Sequence, residues 1–136
     1  MRFEISKEWV VGHPQIDADH RELAVHLNGM FDAAELRDFD LLDERMAVFL
    51  KLLKHHFIRE NQIMIASGFD VRIGHAFDHQ KQLKELQAVF EEHRENAPQL
   101  AALATDVFIR KILQHDLYFR DFLARKQAVE TAGVDA

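Results

Sequence analysis

The sequence predicts an all-α protein, an up-down-up-down antiparallel four-helix bundle with an ordered N-terminal arm. Three observations carry that expectation. Apolar residues recur at helical spacing in four separate stretches, each of roughly 20–30 residues. Aspartates, Gly68 and Pro98 punctuate the joins between them. No stretch shows the alternation of a half-buried strand. A chain of 136 residues suits one domain around one core, so 1–136 is read as a single unit.

The arm spans 1–16 and contains Trp9, Gly12 and Pro14 without a sustained period. The first helix is expected at about 17–36, with Asp17 as its N-cap and a stripe through Leu23, Leu27, Met30 and Phe31. The second, about 41–67, starts from Asp40 as cap and stops at Gly68; its stripe is Met46, Phe49, Leu53, His56, Glu60 and Met64 or Ile63. Asp70 can cap the third, about 71–95, which carries His75, His79, Leu83, Leu86 and Phe90 on one face. After a break at "ENAPQ", the fourth runs from about 98 to 127 with Pro98 in its first turn. Phe108, Ile112, His115, Phe119 and Phe122 line one side of it, and the tail, 128–136, is expected to fray.

Composition narrows the function classes. The net charge of −6, with no block of Lys or Arg, argues against nucleic acid and against an anionic membrane surface. The absence of cysteine excludes disulfides, thiolate catalysis and Cys-ligated zinc or iron–sulfur sites. "MRFEISKEW" lacks the apolar run of a signal peptide, and no apolar stretch approaches the ~20 residues of a membrane span. The expectation is a soluble, cytoplasmic protein, a monomer or weak oligomer. Nine histidines and eleven phenylalanines are many for this length, so their placement decides their meaning.

Each helix has a histidine on its apolar face: His20, then His56, then His75 and His79, then His115, with Glu60 one turn after His56. In an antiparallel bundle, facing residues share a height, and the helix rises about 1.5 Å per residue. His20 falls about 16 residues before the end of the first helix, and His56 about 16 after the start of the second. His79 falls about 16 before the end of the third, and His115 about 17 after the start of the fourth. All six side chains therefore land in one layer. A buried carboxylate without a partner costs several kcal/mol, and a metal ion removes that cost. The nitrogen-rich set suits iron, and less specifically manganese, zinc or copper. Five imidazoles and a carboxylate exceed one tetrahedral site and would serve two octahedral ions, with Glu60 bridging and one position open. His13, His26, His55 and His93 fall off the layer and are expected at the solvated surface.

On these residues the chain resembles the hemerythrin family in its single-domain bacterial form. The matching pieces are Trp9, Gly12, Ile16, Asp17 and His20; His56, Glu60 and Met64; "HAFDH" (75–79); and His115. The resemblance covers about residues 9–125. It implies a four-helix bundle holding two non-haem iron ions with a bridging oxo or hydroxo group. His75, His79 and His115 would hold one iron, and His20 and His56 the other, which takes dioxygen. Glu60 would bridge. Ile112 matches the family's apolar residue over the open position, and Leu23, Phe57 and Phe119 would line the rest of an oxygen pocket. Asp17 is a candidate to orient a ligand histidine.

The fourth helix departs from the family pattern, in which a bridging Asp follows the histidine by five. Here that position is Arg120, within "KILQHDLYFRD". Asp121 takes the role if the helix carries one extra residue, such as a π-bulge. Asp116 takes it if the local winding differs. In the third alternative no protein carboxylate serves and water or a small anion fills the place. Tyr118 lies on the same face as a weak ligand or hydrogen-bond partner.

The implied function is reversible dioxygen binding for carriage, storage or sensing, and not an enzyme; a redox partner stays unspecified. The alternatives are a di-iron enzyme acting on peroxide or nitric oxide, and a metal-binding bundle with an impaired oxygen site.

Overall fold

The computed structural model describes residues 3–70 and 79–134, with side chains through Glu130. Every element among them is helical. A 3-10 turn over Lys7–Trp9 precedes α1 (Pro14–Glu35), α2 (Phe39–Ala66) and α3 (His79–Glu92). The fourth helix is continuous but not uniform: α4 (Ala97–Val107), a wider π-helical stretch (Phe108–Leu113) and α5 (Gln114–Val134). α1 packs on α2, α2 on α3, α3 on α4, and α4 back on α1, so the four helices enclose a shared core. No helix among the described residues is long and apolar enough to cross a membrane.

The helix ends explain most departures from the expected boundaries. α1 begins at Pro14, three residues before the expected Asp17, because proline's fixed φ suits a first turn. Asp17 is therefore not the N-cap. Its carboxylate accepts hydrogen bonds from the Val11 and Gly12 N–H groups, at 2.8 and 3.0 Å, and pins the arm where Gly12 turns with φ +92°. α1 closes through Arg37 in the left-handed region (φ 55°), with Asp38 N–H returning to the Ala33 carbonyl. Asp38 then caps α2 by accepting from Leu41 N–H at 3.1 Å, which displaces the expected cap, Asp40, into the first turn. Gly68 ends α2 as expected, with φ +82°, and Phe69 N–H bonds back to the Met64 carbonyl. The expected third-helix start and His75 lie outside the described residues; α3 ends at Glu92, before the expected 95. Asn96 caps α4 by accepting from Gln99 N–H, with proline in the first turn. The expected frayed tail is helical to Val134, since "ARKQAVE" is rich in strong helix formers that need no burial.

Two apolar clusters make up the core. The larger contains Leu23, Leu27, Phe31, Phe49, Leu53, Phe57, Leu86, Phe90, Phe108 and Ile112. The smaller contains Val11, Ile16, Met64, Phe69 and Phe119. Along α1, α2 and the fourth helix the stripe passes from one cluster to the other, and on each helix a polar side chain sits at the crossing. Those side chains are His20, between Ile16 and Leu23; His56 and Glu60, between Leu53 and Met64; and Asp116, between Ile112 and Phe119.

Candidate metal centre

The polar layer is built from three helices. α1 supplies His20, α2 supplies His56 and Glu60 one turn apart, and α5 supplies Asp116. All four are buried, with at most 2% of each residue exposed. One nitrogen or oxygen from each lies within 4.8 Å of all the others. His20 Nε2 is 2.7 Å from Asp116 Oδ2, and His56 Nε2 is 2.8 Å from Glu60 Oε2 and 3.7 Å from Asp116 Oδ2. The two imidazoles meet edge to face with centroids 4.8 Å apart.

The donor set fits a metal ion on two counts. His56 Nε2 and Glu60 Oε2 are close, yet they lack the alignment of a hydrogen bond and neither has another hydrogen-bond partner. Leaving such groups unsatisfied in a protein interior costs about 1–3 kcal/mol each, more when charged. That cancels roughly one fully buried Leu or Phe apiece. Second, donors about 2.1 Å from a shared ion lie about 3.0 Å apart at octahedral corners and about 3.4 Å at tetrahedral ones. The observed separations, 2.7, 2.8 and 3.7 Å, bracket those values. This buried His/Glu/Asp group could hold a metal ion, and two nitrogens with two carboxylates suit a borderline divalent cation.

An outer set of side chains aims His56. The Nδ1–H of His56 donates to Asp19 Oδ2 at 3.1 Å, which turns Nε2 toward the layer. Asp19 is held in turn by Arg59, whose Nε and Nη2 donate to its two oxygens at 2.9 Å each, and by Gln15 Nε2 at 2.9 Å. Arg59 reaches the surface, with 44% of its side chain exposed.

Charge balance within the layer is uneven. Burial pushes the Glu60 carboxyl well above its usual range, and the neighbouring Asp116 charge pushes it further. Burial acts on Asp116 in the same sense, but contacts from His20, His56 and Glu60 outweigh it and hold this carboxyl well below the usual range. His56 is pulled down by burial and more strongly raised by Asp116, Asp19 and Glu60, so its proton is tightly held. Asp19, despite burial, is kept ionised by His56, Arg59 and Gln15. Two carboxylates this close do not both ionise without a countercharge. Burial and the Asp116 charge thus favour the protonated form of Glu60, and the surrounding carboxylates favour the protonated form of His56.

The structure brings together His20, His56, Glu60 and Asp116, and it separates other expected residues from them. Asp121 is not in the layer: 59% of its side chain is exposed, 3.4 Å from Arg120 Nε. The extra helical residue expected after His115 occurs before it instead, in the Phe108–Leu113 stretch, so Asp116 turns inward and Asp121 outward. Tyr118 is 53% exposed, with its ring edge-on to His115. His115 and His79 are half-buried and are not among the four converging side chains; the His79 ring stacks on Phe57 with centroids 4.0 Å apart. His75 lies outside the described residues. Leu23, Phe57 and Ile112 are buried in the larger cluster, while Phe119 belongs to the smaller one, across the layer. Of the histidines expected at the surface, His55 is exposed and His13, His26 and His93 are half-buried.

Asp19, Arg59 and Gln15 escaped the sequence reading, which offered Asp17 as the orienting carboxylate. The available signal was adjacency, since Asp19 precedes His20 and Arg59 precedes Glu60. A charged pair at those flanking positions is placed to meet across α1 and α2. Comparison with protein-family models, with curated proteins and with solved structures found no match to this chain.

Proposed function

We propose that the buried layer is half of a di-iron centre that binds dioxygen reversibly, in an up-down-up-down bundle of the hemerythrin kind. The observation that carries the reading is the convergence of His20, His56, Glu60 and Asp116, with His56 Nε2 and Glu60 Oε2 unsatisfied in the interior. His20 and His56 would hold one iron, and His79 and His115, with His75, the other. Glu60 and Asp116 would supply the carboxylate ligands. Ferrous iron held by these residues would supply the electrons for reversible dioxygen binding.

The chain's own residues do the remaining work. Glu60 and Asp116 supply countercharge in a site closed to water. Asp19, held by Arg59, fixes the His56 ring so that Nε2 faces the layer. Leu23, Phe57 and Ile112, buried in the larger cluster, would give oxygen bound at the layer an apolar flank, which limits the supply of protons and favours reversible binding over reduction to products.

The test is anaerobic reconstitution with ferrous iron, followed by oxygen, with iron content and the visible spectrum recorded together. Two irons per chain and an oxygen-dependent absorption band that disappears under vacuum are the expected result. One iron or none sinks the di-iron reading. Rapid conversion to a stable oxidised form replaces carriage with the alternative of an enzyme acting on peroxide or nitric oxide.

A further inference from the structure

The fourth helix reaches the layer through an irregular turn, and one buried side chain from another helix holds that turn. An α-helix advances 100° per residue, so the seventh residue after a reference returns to within about 20° of it, and the eighth lies about 80° away. Counting from the fully buried Phe108, the seventh is His115 and the eighth is Asp116. An uninterrupted α-helix would therefore aim His115 along the Phe108 stripe and turn Asp116 aside. Asp116 is instead the buried one, at 2% exposure, and His115 is half-buried. The π-helical stretch Phe108–Leu113 accounts for the exchange, because its extra residue delays the phase by one position.

Such a turn leaves a backbone deficit. Within it, N–H groups reach five residues back, as Gln114 N–H does to the Ile109 carbonyl. Where four-residue bonding resumes, one carbonyl is passed over and needs a donor from elsewhere. Lys111 lies within the wide stretch, and its carbonyl accepts a 2.8 Å hydrogen bond from Gln82 Nε2 of α3. Gln82 is 4% exposed, the one buried polar residue of α3 among the described residues.

We infer that Gln82 is a positioning residue for the metal centre: by satisfying the Lys111 carbonyl it holds the wide turn that places Asp116 in the layer. This rests on the metal-binding reading of the layer, but not on the identity of the metal or on oxygen chemistry. The hydrogen bond of Gln82 goes to the fourth helix's backbone and not to any of the four cluster side chains. Its effect passes through the phase of the fourth helix.

The experiment compares wild type, Gln82→Leu, a deletion of Arg110, and the two changes combined. Arg110 is an exposed residue inside the wide turn, paired with Asp106. Its deletion removes the extra residue, restores plain α-helical bonding and leaves Asp116 in phase with Phe108, so Gln82 loses its task. Two readouts are taken on folded protein: carbodiimide labelling of Asp116 against Asp121 in metal-free protein, located by mass spectrometry, and cobaltous ion affinity by absorption titration. Gln82→Leu is expected to raise Asp116 labelling at least fivefold and to weaken cobalt binding at least about tenfold, the scale of an outer-partner loss. The combined variant is expected to match wild type in both. A purely structural role for Gln82 gives no such rescue. Asp116 as protected in Gln82→Leu as in wild type overturns the inference, and so does a loss that persists in the combined variant. If Gln82→Leu alone does not fold, the combined variant decides: wild-type behaviour supports the inference, and failure to fold overturns it. A wild type that takes up no metal removes the di-iron reading, while the labelling still decides the role of Gln82.

Discussion

α2 and the fourth helix both deliver carboxylates to the polar layer, and they do so by opposite means. On α2, His56 and Glu60 are one regular turn apart, so the helix itself sets their common direction. Asp19 and Arg59 then fix the imidazole from outside. On the fourth helix, Asp116 reaches the layer only because six residues are wound more widely, and a glutamine from α3 holds that winding. Regular geometry makes the first half of the site robust to its sequence surroundings. The second half depends on a local irregularity and on a contact some distance from the layer.

The largest expected effect tests which carboxylate the fourth helix delivers. Asp116→Ala should weaken metal binding by more than the 10- to 100-fold typical of outer-partner changes, while Asp121→Ala should leave it within about twofold, because that side chain faces solvent. Metal content after dialysis against a graded chelator separates the two. Equal losses would make the comparison of the two helices wrong.

Next in size is the outer support on the α2 side. Asp19→Ala removes the acceptor that holds His56 Nδ1–H, and should cost roughly 10- to 100-fold in metal affinity. Arg59→Ala, read by the same titration, should cost less, since Gln15 still bonds Asp19. If Asp19→Ala binds metal as wild type does, α2 needs no external clamp.

Affinity should also rise with pH. Glu60 and His56 both have proton affinities raised above their ordinary values, so at neutral pH a cation must displace protons from them. The gain should continue above the usual range of both groups. Calorimetry in two buffers of different ionisation enthalpy would count the protons released; a count of zero contradicts the proton-filled layer.

The smallest effect concerns stability without metal. Glu60 is raised in the folded state, so its cost is absent below the ordinary carboxylate range and grows as pH rises through it. Glu60→Gln should therefore stabilise the metal-free protein at pH 7 by about 1 kcal/mol, while abolishing tight metal binding. Urea denaturation at pH 7 and pH 4 checks this: the advantage should shrink at the lower pH.

The contrast between the helices also governs what could be read from the sequence. Four helices, their order, and the inward direction of His20, His56 and Glu60 follow from spacing, because straight helices preserve phase. Gly68 was legible because a left-handed residue after an apolar stripe has a specific physical signature. The Asp17 and Asp40 caps were misplaced by a few residues, since several aspartates near a helix start are equivalent in sequence and only the path of the chain chooses among them. The choice between Asp116 and Asp121 stayed open in the sequence because it depends on whether, and on which side of His115, the helix carries an extra residue. Nothing local in "FIRKIL" announces a wide turn. Its support comes from Gln82, 29 positions away, which no count along the fourth helix can find.

The division of the apolar interior into two clusters has a consequence for cooperativity. The smaller one buries Val11, Ile16, Met64, Phe69 and Phe119 among the described residues, with Ile63, Phe122 and Leu123 packed against them, and a layer of charged and polar groups separates it from the rest. With the layer merely protonated, that end of the molecule has little to tie it to the larger cluster and should open separately, exchanging its amide hydrogens at a lower free energy. A cation gripped from α1, α2 and α5 at once would act as a rivet, merging two exchange units into one.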